Sequence, residues 1–221
     1  MGKFYKAIDA IYKSPSARVI LNDYSTDYFD CPLGVKQGDT ISPTLFSIFI
    51  NDLAKELTES NLGVTLSGSL VVSTLLYADD IVLLADNEEN LQLMLNITET
   101  WCNKWRLEVN LTKTNILHVR KQSLNRSYFI FYLGEKVVEY CSDYKYLGTT
   151  MNEFLGFDFS ASVMADSAGR ALGSVITKMI KNSGFPLNVF KKLYDSCVCS
   201  ISDYGGKFGA LKSMRTPNKF T

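Results

Sequence analysis

Apolar positions along this chain change from a helical to a strand period and back, and each change marks an element. Phe4, Ile8, Ile11 and Tyr12 recur three to four residues apart, which predicts one face of a helix that ends at Pro15. No capping residue precedes it, so the chain is expected to begin partway through a fold. Residues 18–21 and 26–31 predict two strands joined at Asn22-Asp23-Tyr24-Ser25. At Ser42-Pro43 a helix begins: the Ser hydroxyl is expected to accept an orphan backbone N–H, and Pro suits the first helical position. Leu45, Phe46, Phe49, Ile50, Leu53 and Leu57 give that helix a wide apolar stripe. A second helix is predicted over residues 88–105, with Leu91, Leu95, Cys102 and Trp105 facing inward. Strands at 107–109 and 115–119 follow, then hairpin-like segments as far as 144–147. Helical periodicity returns over 161–180 and 187–201. The tail after Gly205 is weakly patterned, and no internal repeat is present.

Between the first two long helices, Leu75-Leu76 and Ile81-Val82-Leu83-Leu84 flank Tyr77-Ala78-Asp79-Asp80. The pattern predicts two buried strands with adjacent carboxylates at the bend. Burying an ionised carboxylate is costly unless a cation pairs with it. Hard divalent cations take carboxylate oxygens together with substrate phosphates, so Asp79 and Asp80 are candidate metal ligands of a phosphoryl-transfer site. On the dipeptide alone, a polar β-turn is an equal reading.

Three further segments change that balance. Gly34-Val35-Lys36-Gln37-Gly38-Asp39-Thr40-Ile41-Ser42-Pro43 lies upstream of the acids. Asn110-Leu111-Thr112-Lys113-Thr114 and Tyr144-Lys145-Tyr146-Leu147-Gly148 lie downstream. In this order and spacing the four segments resemble the palm of a reverse transcriptase, most closely those of non-LTR (LINE-type) retrotransposons. The resemblance covers residues 3–150 specifically and the rest only loosely. It implies an α+β fold, an incomplete polymerase palm with an antiparallel sheet packed on helices over residues 1–156. A partial, mainly helical thumb over 157–221 would follow.

The resemblance also implies template-directed nucleotidyl transfer, an RNA-directed DNA polymerase activity with a two-metal mechanism. Asp79 and Asp80 would hold magnesium, with manganese as an alternative. Tyr77 would lie under the primer end, although it is equally an aromatic strand residue. Gln37 and Gly38 would line the nucleotide and template pocket, although the segment reads equally as a turn before a helix. Lys113 would stand near the leaving pyrophosphate, or be an ordinary solvated lysine. Tyr146, Leu147 and Gly148 would form the primer grip. The intact relative would use an RNA or DNA template, a primer 3′ end and deoxynucleoside triphosphates.

One departure limits what the resemblance carries. The family's palm has a further metal-binding Asp upstream of the Gly-rich loop, and only 33 residues precede Gly34 here. Asp9, Asp23, Asp27 and Asp30 are among them, none in the expected context. The chain alone is therefore expected to be inactive and to need an N-terminal fingers and first-strand segment. A non-catalytic remnant that binds nucleic acid or protein is the alternative.

Composition adds three points. Lys+Arg and Asp+Glu both number 23, which argues against a self-sufficient nucleic-acid binder relying on a basic surface. The charges are uneven: residues 1–157 carry 14 basic and 19 acidic side chains, and 158–221 carry 9 and 4. Lys178, Lys181, Lys191 and Lys192 are thus candidate phosphate contacts of a thumb. Five cysteines without a Cys-x-x-Cys pair suggest neither a disulfide framework nor zinc. Cys197 and Cys199 are expected to pack in a core and His118 to lie on a strand. With no membrane span and no signal pattern, an intracellular protein of the nucleus or cytoplasm is expected.

Overall fold

The computed structural model describes residues 2–32, 34–66, 68–156, 158–182 and 184–204. The chain divides into two compact units, residues 1–108 and 109–221. Both combine helices with short ladders, so the class is α+β. Among the described residues the strands pair two by two, in six antiparallel ladders and one parallel, and join no wider sheet.

In the first unit, α1 (Lys3–Tyr12) is amphipathic but buries none of its residues completely. A nested double hairpin follows. β1 (Ser16–Ala17) pairs with β4 (Phe29–Asp30), and β2 (Ile20–Leu21) with β3 (Tyr24–Ser25). The reversal occupies only Asn22 and Asp23, two residues fewer than the pattern predicts, because Asn22 takes a left-handed φ of 53° that closes a tight loop.

α2 (Ser42–Glu59) has Pro43 in its first turn, as predicted. Ser42 does not cap it. Ile41 occupies the cap position, and Ser42 Oγ donates at 2.6 Å to the Lys36 carbonyl. Next come β5 (Val64–Thr65) paired with β6 (Val71–Val72), and β7 (Thr74–Tyr77) paired with β8 (Asp80–Leu83). α3 (Glu88–Trp105) has the predicted span. The Asn87 side chain accepts the Asn90 N–H at 2.8 Å, and Arg106 closes the helix at a φ of 56°.

The core of this unit lies between α2 and α3, where Leu53, Leu57 and Met94 are wholly buried and Trp101 is 1 % exposed. Leu95 and Cys102 face inward as predicted, but Trp105 is 41 % exposed and Trp101 fills the core instead. Trp105 is the last helical residue and meets Phe49 only edge-on at 5.3 Å, while Lys104 Nζ lies 5.4 Å from its ring centre.

Where the two units join, the predicted strand at 107–109 does not form. Just after it, the Asn110 side chain accepts both N–H and O–H of Thr112 and makes a turn. β9 (Ile116–Leu117) runs parallel to β12 (Tyr140–Cys141). His118 lies just past β9 and accepts the Ser127 N–H on Nδ1 at 3.0 Å, a loop tie where a strand residue was predicted. β10 (Phe131–Leu133) and β11 (Lys136–Val138) form one hairpin, β13 (Asp143–Tyr146) and β14 (Thr149–Asn152) another.

α4 (Asp158–Lys181) and α5 (Leu187–Tyr194) follow. A π-helical turn, Asp195–Cys199, leads into the short α6 (Ser200–Ser202). Within that turn Val198 is buried, Cys199 half-buried and Cys197 exposed, so the two cysteines do not share a core position. Among the described residues of the second unit, Ile116, Phe131, Val138, Ala168, Val175 and Val198 are buried and apolar. The segment after Tyr204 lies outside the described residues.

Candidate functional site

The two acids sit where a two-residue loop reverses the chain. β7 and β8 pair Leu76 with Ile81 and Tyr77 with Asp80, leaving Ala78 and Asp79 as the loop. Ala78 takes a φ of 52°, a left-handed conformation uncommon outside glycine and imposed here by the tight reversal. Asp80 pairs directly with Tyr77, so their side chains share one face of the hairpin. The expectation of buried acids is corrected. Asp79 and Asp80 are exposed, Tyr77 is 63 % exposed, and Leu75 on β7 is also exposed. The carboxylates at the tip stay open to solvent, because among the described residues no further strand joins this two-stranded ladder. Their chemistry rests on two adjacent hard oxygen donors open to a cation, not on desolvation. Among the described residues no group of three or more His, Cys, Asp or Glu is gathered to hold a metal.

The glycine-containing loop of the same unit is a defined turn. The Asp39 N–H meets the Lys36 carbonyl at 3.3 Å, and Gly38 has a φ of 83° at the third position, where a type II turn requires glycine. An added Cβ there would meet nothing within 4 Å, so backbone conformation rather than crowding calls for the glycine. The Tyr12 hydroxyl, from α1, donates to Asp39 Oδ2 at 3.0 Å, and Asp39 Oδ1 accepts the Ile41 N–H at 3.2 Å. Gln37 and Gly38 are thereby held out to solvent at the start of α2.

Lys113, Tyr146, Leu147 and Gly148 belong to the second unit. Lys113 closes the turn that begins at Asn110, and its carbonyl accepts the Tyr144 hydroxyl at 3.0 Å. The side chain of Lys113 is exposed. Leu147 and Gly148 form the loop of the β13–β14 hairpin, both left-handed at 46° and 83°, the combination of a type I′ turn. Tyr204 covers this loop. Its hydroxyl donates to the Leu147 carbonyl, and its ring would lie 3.1 Å from a Cβ placed on Gly148. Tyr12 and Tyr204 are the site residues that sequence reasoning missed, since each reaches its loop from a distant element.

Lys178 and Lys181 sit in the last turn of α4, and Lys191 and Lys192 in that of α5, where a cation also complements the helix dipole.

The second unit holds a compact charge cluster. Glu153 is 8 % exposed, and its Oε2 accepts from Arg126 at 2.6 Å and lies 3.1 Å from Arg120. The hydrogen bond from Arg126 holds the Glu153 carboxyl below its ordinary 4.5. Burial opposes this, and the charges of Arg120, Arg126 and His118 assist it. A carboxyl depressed in the folded state is protonated first in the unfolded one. Its contribution is complete above about pH 4.5 and is lost as pH falls through the folded value. Acid denaturation of the wild type minus that of Glu153→Gln should therefore show a stability difference that shrinks on acidification in that window. Parallel pH profiles for the two proteins would sink this assignment. Burial pushes the Cys102 thiol up, with help from Glu99, and does the same to Cys141.

Residues 3–157 match the family described as reverse transcriptase (RNA-dependent DNA polymerase). The Retrovirus-related Pol polyprotein from type-2 retrotransposable element R2DM of Drosophila melanogaster is 26 % identical over 152 residues, 66 % of this chain and 14 % of that protein. The corresponding polyprotein from type-1 element R2 of Nasonia vitripennis is 29 % identical over 141 residues, 60 % of this chain and 14 % of its own length. The RNA-directed DNA polymerase from mobile element jockey of Drosophila funebris is 28 % identical over 130 residues, 56 % of this chain and 13 % of that protein. The chain thus spans 13–14 % of the length of these relatives.

Proposed function

The chain belongs to the reverse transcriptase (RNA-dependent DNA polymerase) family, and on that footing we propose that it contributes palm residues to RNA-directed DNA synthesis. The observation that carries the reading is the exposed hairpin tip, where Asp79 and Asp80 stand adjacent, downstream of the fixed Gln37-Gly38 turn and α2. Two carboxylates with open coordination fit magnesium, which binds through one or two carboxylates and substrate phosphates. Bound there, magnesium (or manganese) supplies charge neutralisation and activation of a primer hydroxyl.

The chain's own residues have supporting roles. The exposed Tyr77 ring offers a surface for the primer end beside Asp80. The Gln37-Gly38 backbone faces nucleotide and template. Lys113 offers a cation for the leaving pyrophosphate. Tyr146, Leu147 and Gly148 present the backbone of a tight hairpin to the primer strand. Residues 1–156 serve as palm and 157–221 as the start of a thumb, where Lys178, Lys181, Lys191 and Lys192 add positive charge toward the duplex.

Two carboxylates do not complete a two-metal clamp. Purified chain given a primed template, magnesium and nucleoside triphosphates is therefore expected to add no nucleotides. Mixing it with a polypeptide that supplies the upstream acidic strand restores extension. Asp79→Asn or Asp80→Asn then cuts the rate at least about a hundredfold, the scale of losing one electrostatic anchor. Extension by the chain alone would refute the need for a third acid. Restored extension that tolerates both substitutions would refute the site.

A further inference from the structure

The second unit carries a cleft that the polymerase reading does not use. Its volume is about 730 Å³, within the range of pockets that take a nucleotide-sized ligand. Arg120, Lys121 and Gln122, from the segment after β9, form one side. Phe154 and Leu155, after β14, and Phe159, in the first turn of α4, form the other.

The walls are held in place before any ligand arrives. The Arg120 N–H bonds the Glu153 carbonyl at 2.8 Å and ties the two segments together. The Asn152 side chain accepts the N–H groups of Phe154 and Gly156 at 3.1 and 2.8 Å, which fixes the loop that leads to α4.

The chemistry of the lining is that of an anion beside a planar apolar group. Glu153 is one carboxylate shared by two guanidiniums, Arg120 and Arg126, and Lys121 adds a third cation at the rim. The cluster stays net positive even with Asp158 at the start of α4. Arg120 stacks its guanidinium 4.7 Å from the Phe154 ring centre, and its Nε–H is buried without a hydrogen-bond partner. A buried donor left unmatched is costly, and an acceptor oxygen entering the cleft would relieve it. Phe159, 54 % exposed, and the exposed Leu155 offer apolar surface beside these cations.

From this juxtaposition we propose that the cleft holds a single nucleic-acid strand, a phosphate against Arg120 and Lys121 and the adjoining base against Phe159. Phosphate oxygens are the usual targets of such cations, and aromatic faces accept bases without regard to sequence. A free nucleotide shares this chemistry but offers one phosphate-bearing unit. A strand has further phosphates and bases to lay along the wall that ends at the exposed Gln122.

The test is fluorescence anisotropy of the full chain with a labelled oligothymidylate of about 12 nucleotides, a length typical of such grooves. It is run in chelator and without triphosphates, so that the result does not depend on the polymerase reading. Lys121→Ala and Phe159→Ala alter exposed side chains, and circular dichroism checks that both variants fold. Lys121→Ala is expected to weaken binding and to lower the slope of log affinity against log salt by about 0.7, the loss of one single-strand phosphate contact. Phe159→Ala is expected to weaken binding at least about fivefold, the loss of one base stack, with the slope unchanged. Wild-type affinity in both variants would overturn the proposal. So would displacement of the oligonucleotide by thymidine monophosphate at equal nucleotide concentration, since that result assigns the cleft to a free nucleotide.

Discussion

Trp101→Ala should destabilise the first unit by about 3–5 kcal/mol, the cost of deleting a large aromatic from a packed core. The ring is 1 % exposed, lies 5.3 Å from Phe49 centre to centre, and belongs to the helix pair whose wholly buried members are Leu53, Leu57 and Met94. Natural domains have only about 5–15 kcal/mol in reserve, so the loss is expected to leave this unit largely unfolded at modest denaturant. Trp101→Phe should behave very differently. The indole Nε1–H is buried with no hydrogen-bond partner, and phenylalanine keeps most of the ring while removing that donor. Recovering the donor's desolvation, about 1–3 kcal/mol, offsets the smaller volume, and the net change should stay within about 1.5 kcal/mol. Trp105→Ala, at an exposed position, should cost clearly less than Trp101→Ala. Urea melts followed by far-UV circular dichroism rank the three. Equal midpoints for Trp101→Ala and Trp105→Ala would contradict the observed core.

Gly63→Ala is the second large effect expected. A Cβ at Gly63 would lie 2.5 Å from the Val72 carbonyl oxygen and 2.6 Å from both Cα and N of Ser73. These are backbone atoms, so no side chain can turn aside, and the ladder entrance must move. Overpacking of this kind costs about 1–3 kcal/mol and more where the backbone resists. The displacement also has a direction. Ser73 leads directly into β7, and its carbonyl accepts the Leu84 N–H at 2.8 Å just beyond β8. Shifting Ser73 loosens the base of the hairpin that presents Asp79 and Asp80. Native-state hydrogen exchange should therefore show faster exchange at the Leu84 amide in Gly63→Ala than in wild type. Gly38→Ala is the comparison: open space surrounds it, and only the left-handed φ is strained, at about 1–2 kcal/mol. Unchanged Leu84 protection in Gly63→Ala would remove the close-approach explanation.

Part of this structure was legible in the residue pattern because it depends on neighbours in the chain. The span of α3 follows from its apolar period, and the hairpin at 74–83 follows from apolar runs interrupted by two acids at a bend, whereas the hairpin at 143–152 was expected from the resemblance of Tyr146, Leu147 and Gly148 to a primer grip. The order of the four motifs was enough to indicate the family, which the match over residues 3–157 bears out. Where the pattern misled, a contact distant in sequence or a local side-chain bond had taken over. Ser42 turns its hydroxyl to Lys36 instead of capping its helix, and the segment expected as a strand at 107–109 runs unpaired into the turn that Asn110 holds. Trp101 and Trp105 are both tryptophans on one helix, and only the packing of α2 decides which is core.

The amino-acid order by itself determined the long helices and the placing of two acids at a bend, because periodicity and turn chemistry act within a few residues, and the order of its motifs implied the α+β class through the family they resemble. Tertiary structure alone decided that those acids stand in solvent, that Tyr12 and Tyr204 brace the loops at Asp39 and at Leu147-Gly148, and that Arg120 and Arg126 share the Glu153 carboxylate beside a cleft. Exposure and hydrogen bonding across 27 or 57 residues are properties of how segments meet, and a linear pattern carries no record of that meeting.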